Sequence, residues 1–252
     1  MAAVSSGTGD ESLISHSSCT CATSCCSTGR FAGPTCRLVD AHSAPLPALC
    51  QFLGYNWSMN YLAHLLLAER RSLCPAGTLL GDVLRGPVEA LEPAEVRRAV
   101  WHHRRLDSFT DTHPAFLRAK RRIDPTYRHF RGVMVDIFFD HYLARHWNAF
   151  HHEPLTAFCQ RMYRQLLCRS ESTELRPRIE AMARIDLLGS YVSVEGIDRA
   201  LGSVSRRIRR SNGLDQGGRE LQRHYDALES DFLAFFPQAV AFGDGLDHEA
   251  LR

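Results

Sequence analysis

Two short stretches of the chain combine residue types that can hold a cation or move a proton. In His102-His103-Arg104-Arg105-Leu106-Asp107 followed by Thr110-Asp111, the residues His103, Asp107 and Asp111 recur every fourth position. A helix brings residues so spaced onto one face. An imidazole in line with carboxylates suits a divalent cation and leaves positions open for water and phosphate. The same spacing also suits hydrogen bonding between turns of a surface helix, with the arginines solvated. In Asp136-x-x-x-Asp140-His141 two carboxylates again share a face, here among Val133, Met134, Val135, Ile137, Phe138, Phe139, Tyr142 and Leu143. Burying a carboxylate in such company is costly unless a cation, a hydrogen bond or a proton offsets it. Ion pairing with Arg131 or Arg145 is the alternative.

Two single residues join these stretches. His64 stands between Ala63 and Leu65 on an apolar segment, as a core histidine or as a ligand. Asp82 closes Gly77-Thr78-Leu79-Leu80-Gly81-Asp82, where glycines permit close backbone approach and the carboxylate either enters a site or caps a helix. The chain has no G-x-x-x-x-G-K-[ST] or G-x-G-x-x-G run and no G-x-S-x-G elbow. Metal-assisted hydrolysis therefore stands ahead of nucleotide-loop or serine chemistry.

The elements that must position these residues are helical. Apolar residues at helical spacing run from Tyr61 to Arg70; a loop-like segment around Leu79, Leu80 and Asp82 follows, and Pro93 opens a helix reaching Phe109. His113-Pro114 begins a helix through Arg122, Val133 to Phe150 reads as one long buried helix, and further helices span 155–168, 176–186, 194–211 and 218–236. No alternating strand pattern competes, so the class is all-α.

With 252 residues and 44% hydrophobic content, the chain builds one core rather than two. Its formal charge of +2 argues against a general nucleic-acid binder. No apolar run is long enough to span a bilayer and no secretory signal pattern is present, so no membrane partner and a cytoplasmic location are expected. Residues 1–58 are rich in Ser, Thr, Cys, Gly and Ala and read as a disordered extension or as sequence upstream of the true start at Met59. Their Cys21-x-x-x-Cys25 and Cys36 lack the second ligand pair of a zinc finger. The domain is expected over 59–240, with a tail from 241 to 252.

Several ordered motifs resemble one family. Met59-Asn60-Tyr61-Leu62-Ala63-His64-Leu65, Gly77 to Asp82, His103 to Asp107 with Thr110-Asp111, Asp136 to Trp147, His224 to Glu229 and Phe232 to Pro237 are similar to the acyl carrier protein phosphodiesterases. The resemblance implies a single helical domain related to HD-type phosphohydrolases, a divalent cation with manganese (Mn2+) first, and removal of 4′-phosphopantetheine from holo-acyl carrier protein. It carries metal-site candidates onto His64, Asp82, His103, Asp107, Asp136, Asp140 and His141, with Asp82 and Asp140 foremost. Arg104 and Arg105 would neutralise phosphate, and Arg70, Arg71, Arg121 and Arg122 would meet the acidic carrier protein. An HD-type nucleotide hydrolase and a noncatalytic carrier-binding module are the rival readings.

Overall fold

The computed structural model describes residues 60–169, 175–208 and 212–247, all of which fall in one compact unit. The expected N-terminal extension over 1–58 lies outside the described residues. Helices alone build the described part, which contains no strand. None of these helices is long and apolar enough to cross a membrane.

The first helix, α1 (Tyr61–Arg70), is buried from Tyr61 to Ala68 and runs through the core. Eight consecutive buried residues mean that neighbours cover it on every side, so its histidine must find polar partners inside the protein. Helix α2 (Pro75–Leu80) occupies the segment expected to be a loop. Pro75 suits the first turn, and Ala76, Gly77, Thr78 and Leu79 are buried. At Gly77 a Cβ would stand 2.9 Å from the Ala99 Cβ, so the missing side chain is what lets α2 lie against the next helix. Packing of a small-residue face overrides the weak helical signal of six residues.

That next helix, α3 (Ala94–Thr112), extends a turn beyond Phe109. Its buried positions Val96, Ala99, Val100, His103, Leu106 and Thr110 recur at three and four residues, an amphipathic stripe with a polar opposite face. The structure starts it after Pro93 rather than at Pro93. Helix α4 (Pro114–Arg122) begins at Pro114, and His113 Nδ1 accepts the Ala115 N–H at 3.2 Å as its cap.

The apolar stretch expected as one helix from Val133 to Phe150 is divided into α5 (Phe130–Arg145) and the single turn α6 (Trp147–Phe150). Beyond it come α7 (Leu155–Arg169), α8 (Arg176–Arg184), the short α9 (Leu187–Ser190) and α10 (Val194–Arg207), which Ser193 caps by accepting the Gly196 N–H at 3.0 Å. The last three residues of the expected 194–211 helix lie outside the described residues. The chain then forms α11 (Gly218–Arg223) and α12 (Tyr225–Gly245).

Helix α12 continues past Pro237 and past residue 240, where the sequence reading placed the domain edge. A proline inside a helix forfeits one backbone bond and normally breaks it. Here burial of Phe235, Phe236, Ala239 and Gly243 holds both halves in line. The end is tied down by Arg70, which grips the Asp244 carboxylate, and by Arg71, which donates to Asp244 O at 2.9 Å and Leu246 O at 3.0 Å.

Candidate metal centre

Helices α1 and α3 bring their buried histidines together beside the turn that follows α2. His64 of α1 and His103 of α3 lie face to face, ring centres 3.9 Å apart and planes 18° from parallel. His64 Nε2 is 3.1 Å from Asp107 Oδ1. His103 Nε2 is 3.2 Å from Asp82 Oδ1 and 3.2 Å from Asp107 Oδ2. One ligand atom each from His64, His103 and Asp107 falls within 4.8 Å of the others. His103 and Asp107 are one turn apart on α3, so the helix itself aligns them. Asp82 arrives from the turn at Gly81, where a Cβ would run into the His103 ring.

Charge in this pocket is unbalanced. Burial opposes a positive charge on His103, but the Asp107 and Asp82 carboxylates outweigh it and lift the imidazole to about 10. Burial, joined by the charge on His103, pulls His64 below its usual value. Asp107 resists its own burial and is held well below the ordinary carboxylate range by His103 and His64. Asp82 moves the other way, because burial exceeds the help it receives from His103. Asp136 of α5 is pushed well above the usual range, first by burial and then by the charges of Asp107, Asp111, Asp140 and Asp82.

The donor set fits a divalent cation. Imidazole nitrogens and carboxylate oxygens converge, and Asp82 Oδ2 and the Nδ1 atoms of His64 and His103 are buried without a hydrogen-bond partner. A protonated His103 between two carboxylates supplies in part the positive charge that a cation would supply in full.

Above the cluster lies a cleft of about 350 Å³, lined by Asp82, Asp107 and Asp111 and by Arg85 and Arg104. Arg104 donates to Leu84 O at 2.6 Å and Gly86 O at 2.8 Å, so it also braces the loop that carries Arg85. Arg85 went unnoticed in the sequence, where it stands outside any arginine pair. Its place three residues after Asp82 was the available signal.

The structure thus brings together His64, Asp82, His103 and Asp107, with Asp111 and Asp136 close enough to feel their charge. It separates others. Both Asp140 oxygens accept backbone N–H groups at the start of α1, from Leu62 at 2.9 Å and Ala63 at 2.9 Å. Burial pushes its carboxyl up to about 8, while those two donors pull the other way. Asp140 therefore caps α1 instead of joining the converging ligands. His141 faces away from the cluster, Nδ1 at 2.8 Å from Tyr191 O and Nε2 at 2.8 Å from Tyr225 OH. Arg105 is exposed and does not line the cleft. Of the arginines expected to meet a partner, Arg70, Arg71 and Arg122 are engaged within the fold, Arg122 with Asp231 at 2.9 Å; Arg121 is exposed.

Fold and site together define a helical protein with a His/Asp centre able to hold a cation under an arginine-flanked cleft. Residues 59–239 match the family described as acyl carrier protein phosphodiesterase, and the chain belongs to that family. Curated relatives named acyl carrier protein phosphodiesterase include those of Enterobacter sp. (strain 638), 33% identical over 72% of this chain and 96% of the relative, and of Salmonella agona (strain SL483), 30% identical over 73% and 96%. The relative from Klebsiella pneumoniae (strain ATCC 700721 / MGH 78578) is 29% identical over 74% and 98%. No solved structure matches the chain.

Proposed function

We propose that this chain is a metal-dependent phosphodiesterase that hydrolyses the bond joining 4′-phosphopantetheine to the serine of holo-acyl carrier protein. The observation that carries this reading is the convergence of His64, His103 and Asp107, with Asp82 beside them, at a cleft sized for a phosphate group, in a chain of this family. His64, His103, Asp107 and Asp82 would hold the cation, with manganese the first candidate. When bound it would acidify a water and polarise the phosphodiester.

The chain's own residues account for the rest. Arg104 and Arg85 offset charge on the non-bridging phosphate oxygens at the mouth of the cleft. Water adds to phosphorus, the bond to the serine oxygen breaks, and that oxygen takes up a proton. Asp136 is suited to hold the proton, since burial and neighbouring carboxylates keep its carboxyl protonated to higher pH than usual. The products are apo-carrier protein and 4′-phosphopantetheine. The relation to HD-type phosphohydrolases and a cytoplasmic location belong to the same proposal.

The test is incubation of the full chain with holo-acyl carrier protein, with manganese or with chelator, followed by intact mass. Manganese-dependent loss of phosphopantetheine that disappears in Asp82→Ala supports the reading. A folded, metal-loaded protein that binds the carrier without converting it, or that hydrolyses nucleotides instead, overturns it.

A further inference from the structure

Helix α3 serves two surfaces. Arg104, Asp107, Ser108 and Asp111 line the cleft. Arg98, Trp101, Arg105, Ser108 and Thr112 recur at three and four residues and form an adjoining stripe on the outside of the same helix. Ser108 belongs to both. Arg98, Arg105, Ser108 and Thr112 are exposed, and Trp101 is half-buried. Arg105 precedes Ser108 by about 4.5 Å along the helix axis, and Arg98 lies about 10 Å further back.

Much of the charge around this stripe is answered within the protein. Arg97 pairs with Glu92 at 2.7 Å, Arg169 with Glu95 at 3.5 Å, and Arg104 donates to the Leu84 and Gly86 carbonyls. Arg98 and Arg105 form no ion pair with a described residue. Arg85, on the loop that lines the cleft, adds a third exposed cation, against which stands the exposed Glu89 four residues on. The rim of the cleft is therefore positive along α3.

The chemistry of the substrate decides what meets that rim. The scissile bond joins the phosphate to a serine side chain, so a phosphate in the cleft holds the surface of the carrier protein one side chain away from the cleft mouth. Whatever surrounds the serine must lie on the rim. A positive rim selects an acidic neighbour, and arginines around an aromatic ring are the residue types enriched in protein contacts.

We propose that the outer stripe of α3, with Arg98 and Arg105 flanking Trp101, is the surface on which the carrier protein docks through acidic residues beside its modified serine. This assignment rests on the phosphodiester reading above. It gives Arg105 a place outside the cleft and takes over the role expected of Arg70, Arg71 and Arg122, which are engaged within the fold.

The test compares two substrates of the full chain with manganese: holo-carrier protein, and 4′-phosphopantetheine esterified to a serine amide, which has the same bond without the protein. Arg98→Glu/Arg105→Glu is expected to raise KM for holo-carrier protein at least about tenfold, because reversal sets like charges against each other. Its kcat, its melting temperature and its turnover of the small ester stay near wild type, and added salt weakens it less than it weakens the wild type. Arg98→Lys/Arg105→Lys, which keeps the charge, stays close to wild type. Arg199→Glu/Arg219→Glu, the same charge change at exposed positions of α10 and α11, is the control.

An unchanged KM in the α3 variant overturns the assignment, as does an equal rise in the control, which would mean attraction by overall charge alone. A rise confined to Arg121→Glu would move the docking surface to α4 and overturn it too. If the wild type does not convert holo-carrier protein, the function above fails, and titration with apo-carrier protein decides the surface separately: binding lost only in the α3 variant sustains it, and a wild type that does not bind overturns it.

Discussion

His64 Nε2 and His103 Nε2 both reach the Asp107 carboxylate, on its two separate oxygens, at 3.1 Å and 3.2 Å. One carboxylate thus bridges two stacked imidazoles from different helices. Removing it leaves the rings without their common anion and takes one atom from the converging set.

The first expectation is that Asp107→Asn loses cation affinity and activity together. Loss of even a group supporting a metal ligand typically costs about 10- to 100-fold, and a direct ligand at least that much. Isothermal titration with manganese, set beside turnover of holo-carrier protein, measures both. Full activity at unchanged cation affinity would remove Asp107 from the centre.

Gly81→Ala is expected to displace the His103 ring, because a Cβ at that position overlaps it. Overpacking of this kind costs about 1–3 kcal/mol in stability, and the shifted imidazole lowers cation affinity as well. Gly245→Ala, where a Cβ meets nothing within 4 Å, serves as the control. Thermal unfolding with and without manganese separates the two effects; a Gly81→Ala protein that matches the control would refute the close approach.

Asp140 is expected to matter for folding and not for the cation. Asp140→Ala orphans the Leu62 and Ala63 N–H groups, each a penalty of about 1–3 kcal/mol when buried. Denaturant melts should show the loss, and manganese titration of the folded fraction should match wild type. A large drop in affinity at unchanged stability would return Asp140 to the ligand set.

Acidity offers a fourth test, made on chelator-treated protein. Folding raises His103 from 6.5 to about 10, so its contribution is fully present below pH 6.5 and is lost as pH rises toward 10. The urea midpoint should fall across that window, and His103→Gln should flatten the fall. Cation affinity should run the opposite way, rising with pH as the competing proton leaves. A midpoint independent of pH from 6.5 to 10 would show that the proton is not held there.

The sequence by itself determined the helical class and the alignment of His103 with Asp107, since both follow from the geometry of one helix, in which every fourth residue returns to the same face. It also marked His64 and Asp82 as candidates, through a histidine among leucines and a glycine before an aspartate. Only the tertiary structure decided which carboxylates meet. Asp136 and Asp140 share a face of α5, yet Asp136 feels the charges of Asp107 and Asp111 while Asp140 reaches the first turn of α1. A turn of helix moves a side chain about 5 Å along the axis, enough to pass from one neighbour to the next. Likewise Pro237 reads as a helix end, but α12 passes through it because buried phenylalanines on one side and the Arg70 and Arg71 contacts on the other fix both halves. Local spacing sets which residues lie together on an element; the packing of whole elements sets what that face meets.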